Sequence, residues 1–474
     1  MWTRARQCPG HNHQGPPSSE IARTQNAHRE AAAVRIAIVG AGPTGLYLAI
    51  ALARRGHLVT LIDRDGGPAA SGAWARKGVM QFHHPHGFRG HVVDALLAEM
   101  PEVVNAVVDV GGVVMRMPEE PDRITGLRCR RATFERVLRR TAVEQPGVEL
   151  CIGHADRVCL HGGRATAVMV DGDRLDADLV IDASGRAGQM SRGLRAPARD
   201  GDCGFAYTSR QFELRPGAEP GPLNAPIGFS ATYPGYQLLV FPHDCRTLSA
   251  VIIRLASDRP LGALRHQAAF EAACQAIPGL STWTEPDRTR PISDVQPGGR
   301  LTNSYQGQLG PAGDVAAVGL MFVGDAVCTT NPSAGRGVST SLMQARRLLE
   351  LLDEHGSDFT SCSLAFDEWC DTQMRPWFDD HSYNDARQVR RWSGEDVDLT
   401  ERLPSDLVVS ASQVDPQLSP VVGPYLAMNA LPHTLAVVEP RAREIYAGGW
   451  RPPVPPGPSR AELADLVTNA VGHG

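Results

Sequence analysis

The sequence almost entirely lacks lysine, and it shows no excess of positive charge. Lys77 is the single lysine among 474 residues, and every other basic residue is arginine. The formal net charge is -5, with 47 basic and 52 acidic residues, so nothing marks a surface for a nucleic-acid polyanion. The predominance of arginine indicates GC-rich codon usage rather than arginine-specific chemistry, and we expect no nucleic-acid partner.

Cysteine motifs and long apolar runs are also missing. The ten cysteines include no C-x-x-C pair and no close ladder, so neither a zinc ribbon nor a disulfide framework is expected. No apolar run approaches the roughly 20 residues of a membrane-spanning helix, and residues 1–33 lack the apolar segment of a secretory signal. These absences predict reduced thiols, a cytoplasmic location, no membrane span and a disordered extension over residues 1–33.

The stretch VRIAIVGAGPTGLYLAIALARRGHLVTLIDRD, residues 34–65, combines a strand, a glycine turn, a helix and a second strand that ends in an acidic residue. Gly40 permits the tight turn, Gly42 lets the backbone approach a pyrophosphate, and Gly45 lets the helix pack on the strand. The helix N-terminus faces the phosphates, and the carboxylate of Asp63 can accept hydrogen bonds from ribose hydroxyls. This order and spacing predict a dinucleotide site.

Four blocks of sequence resemble the superfamily of FAD-dependent monooxygenases that share the fold of para-hydroxybenzoate hydroxylase. The first block is the glycine turn together with Asp63 and Arg64. The second is RRATFERVL, residues 130–138, in which Arg131 matches the arginine that reaches the FAD phosphates. The resemblance implies FAD as the cofactor and these residues as part of its site.

The third block is DLVIDASGRAGQMSR, residues 178–192, in which Asp182 and Gly185 match the fingerprint pair of the superfamily. Its DASG sequence resembles epoxidases, halogenases and prenyl-chain reductases of this fold more than it resembles hydroxylases. Between the second and third blocks, Val158 matches a position whose backbone contacts adenine. The resemblance therefore indicates the cofactor more firmly than it indicates the type of reaction.

The fourth block is FVGDAVCTTNPSAGRGVSTSLMQA, residues 322–345. The resemblance implies that Asp325 binds the ribitol chain and that Pro332, Gly335 and Gly337 lie in the loop and helix N-terminus beside the isoalloxazine ring. A helix dipole at that position stabilises an electron-rich reduced flavin.

The predicted fold class is α/β, with a Rossmann-type FAD-binding domain interleaved with an antiparallel-sheet substrate domain and followed by a C-terminal helical region. We assign residues 34–200 and 301–355 to the FAD-binding domain, with residues 71–90 facing the substrate pocket. Residues 201–300 form the substrate domain, and residues 356–474 form the helical region.

Within the substrate domain, four strand-like runs are separated by Pro, Gly and Asp turns. These runs are residues 204–214, 227–233, 236–241 and 246–255. A sheet over the flavin would form the ceiling of the substrate pocket. The polar and aromatic candidates to line it are Tyr207, Tyr233, Tyr236, Phe241 and His243.

The stretch RKGVMQFHHPHGFRG, residues 76–90, contains three closely spaced histidines. In an extended chain His84 and His86 share a face and His83 points away, so the three rings cannot converge on one metal ion. We therefore expect no metal site.

The same stretch resembles a segment of the epoxidase-like branch of the superfamily, which passes close to flavin and substrate. The resemblance implies Arg76, Lys77 and Gln81 as contacts. Lys77, His84 and His86 are the catalytic candidates, because an imidazole with an ordinary pKa near 6.5 can transfer protons at neutral pH. The alternative is that these histidines only satisfy backbone groups.

The resemblance implies a monooxygenase, a hydroxylase or epoxidase, that inserts one oxygen atom from O2 through a flavin C4a-hydroperoxide. Its substrate would be a small organic molecule of specialised metabolism. Since no second G-x-G-x-x-G unit occurs, electrons would come from NAD(P)H binding transiently or from a separate flavin reductase.

Two alternatives are an FAD-dependent reductase or dehydrogenase acting on an alkene, and a flavin-binding protein without turnover. Halogenation is disfavoured because the substrate region has no W-x-W-x-I-P segment; the nearest stretch is GYQLLVFPHD, residues 235–244.

Overall fold

The structure is a computed structural model, and it describes residues 33–117, 120–186, 188–191, 193–225 and 228–472. The expected N-terminal extension, residues 1–33, lies outside the described residues except for its last position.

The strands, numbered along the chain, are β1 Arg35–Val39, β2 Leu58–Asp63, β3 Phe88–Arg89, β4 Val113–Met115, β5 Gly126–Arg128, β6 Val148–Ile152, β7 Ala155–His161, β8 Arg164–Val170, β9 Asp173–Asp176, β10 Leu179–Asp182, β11 Arg199–Asp202, β12 Phe205–Leu214, β13 Phe229–Tyr233, β14 Tyr236–Pro242, β15 Thr247–Leu255, β16 Thr289–Pro291, β17 Gln296–Gly298, β18 Thr302–Tyr305, β19 Leu320–Phe322 and β20 Cys328–Thr329.

The helices follow the same chain order. They are α1 Pro43–Arg54, α2 Gly90–Glu99, α3 Pro101–Asp109, α4 Arg131–Glu144, α5 Gln267–Ala276, α6 Pro278–Thr284, α7 Gly337–His355, α8 Phe359–Gln373, α9 Arg375–Trp392, α10 Ser405–Ala411, α11 Ser419–Leu426, α12 Glu439–Ala447 and α13 Arg460–Gly472. No helix among the described residues is long and apolar enough to cross a membrane.

A five-stranded parallel sheet, in the order β19-β10-β1-β2-β6, forms the centre of the first layer. Strands β19, β10 and β1 and most of β2 are short, buried apolar runs, as parallel strands between helices usually are, whereas the edge strand β6 is more exposed. Val39 pairs with Asp182 and Asp182 with Phe322, so the carboxyl ends of three strands meet at one edge. That edge carries the turns that follow β1, β10 and β19, which is where open α/β sheets bind their ligands.

A second sheet is antiparallel, with the order β13-β14-β15-β12-β16, and β17 also pairs with β12. Side chains alternate across it, so it has two buried faces. One face packs on α5, α6 and α13 through residues such as Phe270, Trp283 and Leu463. The other face carries Tyr207, Phe241 and further apolar side chains of its own cluster. Helices α5 and α6 were not expected from the sequence.

The C-terminal segment divides between the two layers, although the sequence suggested one helical region over residues 356–474. Helices α8 to α12 contribute Phe366, Trp377 and Tyr446 to the core that contains the parallel sheet. Helix α13 instead inserts Leu463 and Val467 into the core of the antiparallel sheet. The proline-rich linker before α13 therefore carries the chain from one layer to the other.

Candidate active site

A cavity of about 300 Å³ lies where the carboxyl edge of the parallel sheet meets the inner face of the antiparallel sheet. Ten of the residues predicted to bind cofactor or act in catalysis line it. They are Gly40, Gly42, Asp63, His84, His86, Arg131, Asp325, Pro332, Gly335 and Gly337. Residues spread over nearly 300 positions of the chain therefore meet at one site.

The glycine turn after β1 forms the floor of the cavity. Gly40 has a φ of +106°, and a Cβ there would collide with the carbonyl oxygen of Ala183 in the turn after β10. Gly42 has no atom within 4 Å of the place where a Cβ would stand, because that side of its backbone faces the cavity. No side chain caps the N-terminus of α1, which begins immediately after Gly42. This floor leaves room and N–H groups for a ligand.

Asp63 and Arg76 belong to a buried network of charges beside the turn. Asp63 Oδ2 accepts hydrogen bonds from the N–H of Ala41 at 2.6 Å and from Arg76 Nη2 at 2.5 Å. Arg76 Nη1 also donates to Glu135 Oε2 at 2.6 Å, and Arg131 Nε donates to Glu135 Oε1 at 2.5 Å. Within the described part of the chain, Asp63 Oδ1 accepts only from the N–H of Asp65. One acceptor position on Asp63 is therefore open to a ribose hydroxyl.

Four of the predicted residues lie outside the cavity lining. A Cβ at Gly45 would run into the carbonyl oxygen of Gly40, so this glycine supports the turn from behind. The guanidinium of Arg64 packs over Gly78, and Val158 is buried and donates its N–H to the carbonyl of Met190.

Lys77 is the fourth, and it is also the catalytic candidate that the structure does not bring to the site. Its side chain is exposed and makes no hydrogen bond or ion pair with any described residue. The neighbouring Arg76 turns inward instead, because Asp63 and Glu135 hold its guanidinium.

His84 and His86 both face the cavity, but burial changes their chemistry. Burial lowers the pKa of His84 to about 4 and that of His86 to about 3, with nearby positive charge adding to the effect at His86. Both rings are therefore neutral at neutral pH, contrary to the expectation of an ordinary pKa. His84 Nδ1 pairs with Ser209 Oγ at 2.7 Å.

The tautomer of His86 follows from its partners. Its Nδ1 lies 2.9 Å from the carbonyl oxygen of His84, which can only accept, so Nδ1 carries the proton. Its Nε2 then accepts, and Arg131 Nη1 is the donor at 3.4 Å. The His86 ring therefore orients the guanidinium of Arg131, and the lone pair on His86 Nε2 is used in this hydrogen bond.

Asp325 and the loop before α7 close the far side of the cavity. The carboxylate of Asp325 opens into the cavity, and burial raises its pKa, while Arg131, Arg186 and Ser341 oppose that shift. No side chain caps α7, and its first turn, from Gly337, lines the cavity. A second uncapped helix N-terminus therefore faces the same space as that of α1.

Two anchors hold the loop that leads into α7. Asn331 Nδ2 and Asn303 Nδ2 donate to the two carboxylate oxygens of Asp385 at 2.9 and 2.8 Å, and the N–H of Asn331 donates to Asn303 Oδ1. Burial raises the pKa of Asp385 to about 6, against the two amide donors. Arg89 forms the second anchor.

Arg89 donates to the carbonyl oxygens of Ala334 at 2.8 Å, Gly335 at 3.1 Å and Leu426 at 2.7 Å. It thereby ties β3, the loop before α7 and the end of α11 to one guanidinium. Burial, with Arg336 nearby, lowers the pKa of Arg89 to about 10.

Sequence reasoning did not identify Arg89, Glu135 or Asp385. Arg89 ends the quoted histidine stretch and Glu135 follows Arg131 by one helical turn, so local spacing could have suggested both. Asp385 lies 54 positions from Asn331, and no local pattern links them.

The residues of the floor fit FAD. Gly42, Gly335 and Gly337 line the cavity with no atom within 4 Å of a Cβ position, which is the cradle that a closely approaching ligand requires. Two uncapped helix N-termini and Arg131 provide donors and positive charge for phosphates and for an electron-rich ring. Among the described residues, no group of three or more His, Cys, Asp or Glu could hold a metal ion.

Comparison with known proteins gives partial family matches. The family model described as FAD dependent oxidoreductase matches residues 35–102, and that described as tryptophan halogenase matches residues 125–202. The NAD-dependent dihydropyrimidine dehydrogenase subunit PreT of Escherichia coli (strain K12) is 35% identical over 69 residues, which are 15% of each chain. The chain thus spans about 15% of the length of the curated relatives it matches.

Solved structures resemble nearly the whole chain. The flavin-dependent brominase Bmp2 has a TM-score of 0.63 and 17% identity, covering 88% of this chain and 100% of its own. PqsL, a "probable FAD-dependent monooxygenase" from Pseudomonas aeruginosa, has a TM-score of 0.54 and 14% identity, covering 76% and 98%. A variant of 2-methyl-3-hydroxypyridine-5-carboxylic acid oxygenase has a TM-score of 0.52 and 15% identity, covering 76% and 92%.

At these identities the structural likeness establishes the fold, and the family model over the glycine turn establishes the cofactor class. The sequence-based expectations of fold class and FAD are confirmed at this level. The chain has the fold of a flavin-dependent brominase and of a probable FAD-dependent monooxygenase, and its residues 35–102 match a family of FAD-dependent oxidoreductases.

Proposed function

We propose that this protein is an FAD-dependent monooxygenase, a hydroxylase or epoxidase, that transfers one oxygen atom from O2 to a small organic substrate. The observation that carries the proposal is one continuous cavity whose floor is a glycine cradle and whose ceiling is apolar. Reduced FAD supplies the oxygen chemistry when it is bound. One oxygen atom enters the substrate and the other leaves as water, with two electrons from NAD(P)H.

The chain's own groups bind, orient and exclude water. Gly42 and the α1 N-terminus would hold the pyrophosphate with Arg131, and Asp325 would hold the ribitol hydroxyls. The neutral ring of His86 keeps Arg131 in position. The apolar side chains of β14 and β15 that line the cavity would exclude water from it when FAD is bound.

Several finer assignments belong to the same proposal. Residues 34–200 and 301–355 would form the FAD-binding domain and residues 201–300 the substrate domain. NAD(P)H would deliver electrons directly or through a separate flavin reductase. A role in specialised metabolism, which the resemblance to the epoxidase-like branch implies, and a cytoplasmic location, which the cysteine pattern favours, complete the proposal.

The proposal is tested by isotope incorporation. The FAD-loaded enzyme, reduced by NADH, NADPH or an added flavin reductase, is given 18O2 and an extract of candidate small molecules. We expect a product heavier by one 18O atom, formed only with FAD and reductant. A product that gains two hydrogens and no label would support the alkene-reductase alternative instead. FAD binding without any turnover would support the non-catalytic alternative.

Halogenation is the second candidate, and two observations favour it. The tryptophan halogenase family model matches residues 125–202, and a brominase shares the fold over most of the chain. Oxygen transfer and halogenation both require reduced FAD and O2, so an assay with added bromide distinguishes the two reactions. The same assay with bromide would yield a product carrying the two bromine isotopes if the chain is a halogenase, and only the oxygenated product if it is a monooxygenase.

A further inference from the structure

The ceiling of the cavity differs in chemistry from its floor. Tyr207, Leu239, Phe241, Val251 and Ile253 occupy alternate positions of β12, β14 and β15 and line the cavity. None of these side chains is charged. The ceiling therefore offers a ligand an apolar surface with a single hydroxyl group.

The Tyr207 hydroxyl is available to donate a hydrogen bond to a ligand. Tyr207 is 6% exposed; the Gln81 side chain is close enough to hydrogen-bond its oxygen, but no hydrogen bond that meets strict geometry forms with any described residue. The hydroxyl proton therefore has no acceptor among these residues, and a ligand that accepts from it gains affinity. Burial raises the pKa of Tyr207, against the opposing effect of Gln81, and the phenol keeps its proton at neutral pH.

His84 stands directly beside this hydroxyl-bearing ring. The two rings pack edge to face, with centroids 4.6 Å apart. Ser209 occupies Nδ1 of His84, and Nε2 makes no hydrogen bond with any described residue. The pair thus places a phenol and a neutral imidazole at one point of an otherwise apolar surface.

The cations nearest to this point belong to the floor and are already engaged. Arg131 pairs with Glu135 and His86. Arg186 Nη1 donates to the carbonyl oxygen of Arg300 at 3.1 Å and to Thr302 Oγ1 at 2.8 Å. The ceiling contributes no arginine to clamp a carboxylate, which argues against an anionic substrate.

We propose that the substrate is a neutral, largely apolar molecule with one hydrogen-bonding group, which the Tyr207 hydroxyl holds beside the His84 ring. The inference rests on the proposed function, because it takes the ceiling of the cavity to be the substrate side. It assigns Tyr207 as a specificity-determining residue that touches the substrate.

The test measures binding to the oxidised, FAD-loaded enzyme without reductant, by calorimetry and by perturbation of the flavin absorbance. Three probes differ in one group: 4-propylphenol, propylbenzene and 4-propylbenzoate. We expect 4-propylphenol to bind most tightly and 4-propylbenzoate least tightly. Tyr207→Phe should weaken binding of the phenol by about fivefold and leave propylbenzene unchanged, since one hydrogen bond is lost.

Tyr233→Phe is the matched control, because Tyr233 lies on the opposite face of the same sheet and donates to the carbonyl of Pro456. It should not change the affinity for any probe. Tighter binding of 4-propylbenzoate than of the phenol, or a Tyr207→Phe variant with wild-type affinity for the phenol, would overturn the proposal. Because no turnover is involved, failed 18O incorporation with this binding pattern intact would overturn only the proposed function.

Discussion

The polar side chains around the cavity form ion pairs and hydrogen bonds with one another in the absence of a ligand. Asp63, Arg76, Glu135 and Arg131 form a chain of two acids and two bases, three of which are largely buried. Each buried charge has an opposite partner, so removing one member would leave another unpaired in a poorly solvated place. His84 and His86 follow the same principle in neutral form, since His84 has one ring nitrogen and His86 has both ring nitrogens bonded within the protein.

The neutral state of His84 makes stability depend on pH. In the unfolded chain its pKa is about 6.5, whereas in the folded protein it is about 4. As the pH falls, the unfolded state takes up protons first. The stabilisation is therefore fully present above pH 6.5 and is lost toward pH 4, with about 2 kcal/mol lost between pH 7 and pH 5.

Urea unfolding at pH 7 and pH 5 measures this effect. Between pH 7 and pH 5, we expect the free energy of unfolding to fall by about 2 kcal/mol less in His84→Asn than in the wild type. His161→Asn, at an exposed position on β7, is the control and should keep the wild-type slope. A wild-type slope in His84→Asn would contradict a neutral His84.

Gly42 provides a second test among single residues. A Cβ there would have no protein atom within 4 Å and would enter the cavity. We expect Gly42→Val to weaken FAD binding at least about tenfold while leaving the midpoint of unfolding of the FAD-free protein unchanged. Gly201→Val, an exposed glycine of β11 with equally open space, should leave FAD binding unchanged. Equal FAD affinity in both variants would argue against the cradle.

Residues that line the cavity were predictable where their sequence signals are local. Gly40, Gly42 and Asp63 belong to one continuous strand, turn and strand, and Gly335 and Gly337 belong to a similar turn. Arg76 and Glu135 form their ion pair across 59 positions, so neither residue reveals its partner. Because of that pairing, the Arg76 side chain points into the protein and the neighbouring Lys77 side chain points to solvent. The sequence had favoured both as pocket residues.

The loop before α7 depends on elements from distant parts of the chain. Asp385 on α9 holds Asn331 from one side, and Arg89 on β3 holds the carbonyls of Ala334 and Gly335 from the other. These contacts orient the N-terminus of α7 toward the cavity. The C-terminal helices thus act on the cofactor site without lining it.

Arg89→Leu tests this anchoring. Three carbonyl oxygens would lose a charged donor, and we expect a loss of about 2–4 kcal/mol in the free energy of unfolding, together with weaker FAD binding. Arg116→Leu, which removes an exposed arginine that donates to the carbonyl of Asp122, should change neither quantity. A stable Arg89→Leu variant with normal FAD affinity would show that other contacts hold the loop.

Strands and helices were predictable in proportion to the clarity of their patterns. The run in residues 236–241 appears as β14 with a small change at its end, and the helix expected to begin near Gly337 appears as α7. Helix α5 buries a stripe made mostly of small side chains, Ala269, Phe270, Ala273 and Cys274, and α6 is only seven residues long, so neither gives a strong helix signal in the sequence. The residues that follow Pro458 look like another cap helix, and only the three-dimensional path of the linker takes α13 to the other layer.

In the whole molecule, the antiparallel sheet is secured by the last helix of the chain. The hydroxyls of Tyr233 and Tyr236 donate to carbonyls of Pro456 and Pro458 in the linker, and Arg460 pairs with Asp258 through two bonds of 2.8 Å. Helix α13 then covers the apolar face opposite the cavity. The antiparallel-sheet side of the cavity therefore depends on α13 for support.

Leu463→Ala tests that support. Leu463 is completely buried between α13 and the sheet domain, and we expect its truncation to lower the free energy of unfolding by about 2–5 kcal/mol. Val471→Ala on the same helix removes a side chain that is 37% exposed, and its effect should stay within about 0.5 kcal/mol. Equal, small effects in both variants would mean that α13 is not part of the core.

The central claim is that this cavity holds FAD and directs its reaction with O2 toward oxygen transfer. The most direct measurement is rapid mixing of the photoreduced, FAD-loaded enzyme with O2 in the presence of 4-propylphenol, followed at the absorbance of the flavin. The account predicts two spectral phases, with a transient species that is neither reduced nor oxidised flavin. A return to oxidised flavin in one phase, with no oxygen from O2 in any product, would contradict it.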